Sequence, residues 1–92
     1  MDQNLLKSTI ESIEEFYNLL YQDNTGEAYG KLAKTVGNLD QVIVQIEDDQ
    51  IQEELKKHLL EALEAMEDGD HILLADIFQY EINERLQKYQ EN

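Results

Sequence analysis

Residues 29–46 read YGKLAKTVGNLDQVIVQI. Tyr29, Leu32, Val36, Leu39, Ile43 and Ile46 recur in alternating steps of three and four, which places them on one side of an α-helix. Beside this stripe runs a row of small residues, Gly30, Ala33 and Gly37. A glycine costs a helix about 1 kcal/mol relative to alanine, so the row points to close approach of a neighbouring backbone. Val42, Val44 and Ile46 also alternate as a short strand would. Residues 42–46 are thus helix or strand on pattern. Helix is favoured, because the spacing continues through them without a turn signal and a lone strand has nothing to pair with.

Upstream, Leu6, Ile10, Ile13, Tyr17 and Leu20 repeat the pattern and predict a helix over about residues 3–22, with Leu5, Phe16 and Leu19 widening the stripe. The turn formers Asp23-Asn24-Thr25-Gly26 end it. Asn24 and Glu27 have the spacing of a capping box, which starts the second helix and carries it over about residues 24–47. Downstream, Glu47-Asp48-Asp49 marks a break with Asp49 as the expected cap. A third helix follows over about residues 50–67, burying Ile51, Leu55, Leu59, Ala62, Leu63 and Met66. Asp68-Gly69-Asp70 is a stop and restart, Gly69 closing one helix and Asp70 capping the next. The short linkers make sequential helices antiparallel neighbours. The expected fold is all-α, a single domain over residues 1–92 built as an antiparallel up-down four-helix bundle.

The fourth helix, about residues 70–90, is unlike the others. Ala75, Phe78, Ile82, Leu86 and Tyr89 form one apolar face; Leu73, Ile77 and Tyr80 form a second, almost opposite. The run Ile72-Leu73-Leu74-Ala75-Asp76-Ile77-Phe78 is apolar nearly all round. Every helix of such a bundle has an outside, so the second face asks for another partner. Leu73, Asp76, Ile77 and Tyr80 are therefore the candidate partner-binding residues. Asp76 is either partly buried in an interface, or faces solvent, or is bonded within the fold by Tyr17, Tyr21 or Arg85.

Composition narrows the function. Seven Lys and Arg stand against 21 Asp and Glu, a net charge of −14. The first 46 residues hold three bases and seven acids, the last 46 four and 14. Such a surface repels nucleic acid and anionic lipid and attracts a basic protein. Glu47, Asp48, Asp49, Glu53 and Glu54 are the candidate steering residues. Without cysteine there is neither a disulfide nor a thiolate metal site. No stretch approaches the roughly 20 apolar residues of a membrane span, and the first residues lack a signal-peptide pattern, so a cytoplasmic protein is expected.

Catalytic and metal chemistry find little footing. A carboxylate-bridged metal pair wants Glu-x-x-His on two helices, but Leu55 stands three before His58, and Asp68 precedes His71 across the Gly69 break. His58, mid-helix beside Lys56 and Lys57, is the one candidate for phosphotransfer, and an ordinary helix histidine is the competing reading. Ser8 and Ser12 lack the setting of a nucleophile elbow. No enzyme, cofactor, metal or small-molecule ligand is expected. The leading expectation is a non-enzymatic protein-interaction module, either self-associating as a homodimer or holding a basic protein. An inhibitor or immunity-type protein that blocks a basic active site is the alternative.

Residues 62–81, ALEAMEDGDHILLADIFQYE, resemble a segment of uncharacterised, mainly Gram-positive bacterial proteins that reads approximately ALEAGDYVLLADLLEYEL. Leu73 to Asp76 and Tyr80-Glu81 carry the likeness; His71, Phe78 and Gln79 depart from it. The resemblance implies a small helical bacterial domain and supplies no active site.

Overall fold

The computed structural model describes residues 1–91. Helix α1 spans Gln3–Tyr21, α2 Thr25–Gly30, α3 Leu32–Ile43, α4 Asp49–Glu67 and α5 His71–Asp76. The chain then continues without interruption as a π-helical segment, Ile77–Asn83, and a last α turn, α6, Glu84–Gln87. Residues 71–87 therefore form one rod, called the last helix below. No strand occurs among the described residues, and no helix is long and apolar enough to cross a membrane.

Several boundaries differ from those the sequence suggests. The expected second helix is two: Lys31 (φ −100°, ψ −4°) leaves the helical ladder between α2 and α3. Helix α3 ends at Ile43, and the Gln45 and Ile46 N–H groups bond back to Val42 and Ile43 in tight three-residue turns. Residues 42–46 are thus helix end and turn, with Ile46 still buried. Asp48, not Asp49, caps α4, its carboxylate accepting from the Gln50 and Ile51 N–H groups at 3.0 and 3.2 Å. Asn24 stands at the N-cap of α2 as expected, but its side chain accepts no backbone N–H there; its amide donates to Glu27 at 2.8 Å instead. Gly69 (φ +72°) does close α4, and Asp70 accepts from the Leu73 N–H at the start of α5. The row Gly30, Ala33, Gly37 faces solvent, and a Cβ built on either glycine would meet nothing within 4 Å. No backbone approaches there.

Hydrogen bonds at the helix ends define the pairing. The Asp2 N–H donates to Gln45 Oε1 at 2.8 Å, joining the start of α1 to the end of α3. Gln3 Nε2 donates to the Tyr89 carbonyl at 3.1 Å, while Tyr21 at the other end of α1 reaches Asp76. Helix α1 is thus antiparallel to both α3 and the last helix. The pairs Glu54–Arg85 and His58–Glu81 show α4 antiparallel to the last helix as well. The last helix is wedged between α1 and α4, whereas α3 and α4 touch only sparsely.

The core follows from these pairings. Leu6, Ile13, Phe16 and Leu20 of α1 meet Leu39 and Val42 of α3, Leu55 and Ala62 of α4, and Leu74, Phe78, Ile82 and Leu86 of the last helix, all essentially solvent-free. Phe16 and Phe78 pack edge to face with centroids 5.1 Å apart, a favoured aromatic geometry.

Candidate interaction surface on the last helix

The π segment explains how one helix carries two apolar faces. Residues four apart drift sideways on an α-helix, because four exceeds its 3.6-residue turn. A π turn, with i→i+5 bonds, rotates less per residue and cancels that drift. Leu73, Ile77, Glu81 and Arg85 therefore stay aligned along α4. The face that the sequence leaves unpartnered is in large part the face that α4 covers. Ile77 is only 7% exposed and belongs to the core, which corrects its expected place on an open surface.

What remains open lies one position away. Ile72, Asp76, Tyr80, Glu84 and Lys88, again four apart, form the outward side. Ile72 is 54% exposed, Tyr80 52%, and Leu73, at the edge of the seam with α4, 46%. Large apolar side chains are exposed elsewhere too, Val44 at 71% and Leu60 at 63%, but among the described residues only here do three fall within nine residues of one helix. Ile72 was hidden in the sequence within a run apolar on all sides; only the four-residue spacing to Asp76 and Tyr80 could have singled it out.

Asp76 is half-buried, and Tyr21 Oη donates to its Oδ1 at 2.5 Å, with Gln79 Oε1 2.9 Å from the same hydroxyl. Burial, and then the neighbouring Asp76 carboxylate, push the Tyr21 phenol well above its ordinary pKa. Burial also raises the pKa of Tyr17, aided by the Glu14 carboxylate, and that of Tyr29, whose hydroxyl lies 2.7 Å from His71 Nδ1. Of the bonds open to Asp76, the fold uses the one from Tyr21.

The acidic candidates separate. Asp48 is spent on its cap, and Glu54 lies 3.7 Å from Arg85. Glu47, Asp49 and Glu53 are exposed and make no ion pair among the described residues. His58, half-buried on α4, sits between Glu61 and Glu81 at 3.7 and 3.4 Å. That setting is unlike the open histidine a phosphotransfer reaction needs. Among the described residues no group of three His, Asp or Glu side chains could hold a metal ion.

Comparison with curated proteins and with solved structures gave no match. A family model does match, over residues 3–92, and its description is a domain of unknown function (DUF8042). Since that match covers nearly the whole chain, the protein belongs to this family.

Proposed function

We propose that this protein is a non-enzymatic, acidic helical interaction module of the bacterial cytoplasm, and that the outward side of its last helix holds a basic protein partner. One observation carries the reading: Ile72, Leu73 and Tyr80 stand about half exposed together on a chain of net charge −14. Apolar side chains supply contact area, and the surrounding carboxylates select a cationic partner over an anionic one. A second copy of the chain is disfavoured by the same charge, since two such surfaces repel. The antiparallel pairing of α1 with α3, and of the last helix with α1 and α4, supports reading the whole as an up-down four-helix bundle, with α2 and α3 together serving as its second member.

The test uses a synthetic helical peptide with leucines on one side and lysines on the flanks. The triple variant Ile72→Ser, Leu73→Ser, Tyr80→Ser should bind it about tenfold more weakly, a loss of about 1.4 kcal/mol, with the helical circular dichroism retained. Unchanged affinity refutes the surface. A second reading, an inhibitor that fills a basic active site, draws support from the unpaired Glu47, Asp49 and Glu53 at the α3–α4 junction. It predicts that neutralising those three, rather than the last helix, abolishes partner capture.

A further inference from the structure

One histidine on the seam between α4 and the last helix is set between two carboxylates. His58 of α4 has its Nε2 3.4 Å from Glu81 Oε2 on the last helix, and its Nδ1 3.7 Å from Glu61 Oε1 on α4 itself. The ring is only 15% exposed, and Nδ1 is buried with no hydrogen-bond partner. From the last helix, Arg85 also faces Glu81, its Nη1 3.2 Å from the same oxygen and its Nε 3.7 Å from Glu54 of α4. Lys57, Glu64 and Asp68 are the other charged groups of α4 on this side. The position matters because α4 touches α3 sparsely and is held to the body chiefly by the last helix.

A neutral imidazole has one N–H and one lone pair. In either tautomer, then, one nitrogen of His58 aims its lone pair at a carboxylate oxygen with no donor between them. Two facing acceptors cost free energy. Only the imidazolium has a donor for each carboxylate. It would close one charge-assisted bond along α4 and another across the seam, both stronger than their neutral counterparts. Lys57 and Arg85 oppose the added charge, but the carboxylates on this side outnumber them.

We infer that His58 is a proton-operated latch between α4 and the last helix. In acid its imidazolium bonds Glu61 and Glu81 and draws the two helices together. As pH rises through the range of about 5 to 8 in which histidine changes charge, the latch releases. The seam is then held by Ala65, Leu73 and Ile77 and by the Arg85 bridge. The latch needs no ligand and does not depend on what the outward surface holds.

The experiment is urea unfolding at about pH 8 and at about pH 5.5, the latter still above the ordinary carboxylate range. His58→Gln keeps one donor and one acceptor but takes no charge. Relief of the overall negative charge on acidification, and titration of His71 beside Tyr29, are common to it and the wild type. Between the two pH values the folding equilibrium constant of the wild type should rise about fivefold more than that of His58→Gln. Glu61→Gln offers the neutral ring a donor, so its excess over His58→Gln should fall below about twofold. Glu53→Gln, the same change of charge elsewhere on α4, should keep the full response. In the wild type at the lower pH, nitrogen-15 spectra of the His58 ring should show both nitrogens protonated, with the Nδ1 proton slow to exchange with water. An equal pH response in wild type and His58→Gln overturns the latch. So does a response that Glu61→Gln retains as fully as Glu53→Gln, which would mark a long-range charge effect, or a fast-exchanging Nδ1 proton.

Discussion

The hydroxyl of Tyr21, at the end of α1, donates to the carboxylate of Asp76 in the last helix at 2.5 Å. Fifty-five residues apart in sequence, these two side chains fix the end of the first helix against the outward stripe of the last. Asp76 is thereby held beside Ile72 and Tyr80 in a set orientation.

Tyr21→Phe should destabilise the fold by about 1 kcal/mol, a fall in melting temperature of about 4–8 °C for a domain of this size. The effect depends on pH in a defined direction. The raised pKa means that Tyr21 holds its proton more tightly folded than unfolded. Its contribution is therefore whole below the ordinary phenol value of 10.0 and is lost as pH rises from there through the folded value. Thermal melts at increasing alkaline pH should show the wild type losing stability more steeply than Tyr21→Phe; parallel curves would contradict this.

Gly37→Ala should stabilise the protein by about 1 kcal/mol, because Gly37 lies within α3 with open space where its Cβ would go. Gly69→Ala should destabilise by a similar amount, since its φ of +72° suits glycine. Urea unfolding midpoints read both signs. A loss of stability in Gly37→Ala would restore the close helix contact that the small-residue row suggests.

Asp48→Ala should cost about 1 kcal/mol through the lost cap of α4, and Asp49→Ala less than about 0.5 kcal/mol, as for an exposed site outside the cap. The two acids cannot be told apart by pattern, because either suits the cap chemically. The choice depends on backbone angles, and Asp48 has the extended conformation (φ −76°, ψ 109°) that a cap requires.

That pair shows what was legible in the sequence and what was not. The stripes of Leu6–Leu20 and Leu39–Ile43 gave helices because periodicity survives any tertiary arrangement. The Gly69-Asp70 restart was legible because its chemistry is local. Lys31 was not, since nothing in its side chain announces a break. The place of Ile77 was hidden as well: a helical wheel assumes 3.6 residues per turn, and the π segment departs from that spacing where the candidate surface lies. Tyr80 and Leu73 kept their expected exposure, and Asp76 acquired a partner that the sequence offered among three.

Asn83 sits on that π segment, 1% exposed, with Oδ1 unbonded. Replacing a buried, unsatisfied polar group by an apolar one of similar size removes a desolvation cost. The Asn83 side chain also hydrogen-bonds the Tyr17 hydroxyl, so Asn83→Leu exchanges that bond for the relieved Oδ1 and should change stability by less than about 1 kcal/mol in urea unfolding. A loss of more than about 1 kcal/mol would mean that the amide makes a bond essential to the π turn.

The outward side of the last helix as the receptor for a basic partner is tested most directly by nuclear magnetic resonance. The leucine–lysine peptide is titrated into isotopically labelled protein, and the shifts of every backbone amide are followed at two salt concentrations. The expected result is a contiguous set of shifts centred on Ile72, Leu73, Tyr80 and Glu84 that shrinks as salt rises and screening shortens the reach of the carboxylates. Shifts centred instead on the solvent side of α3, around Ala33 and Gly37, or none at saturating peptide, would contradict it.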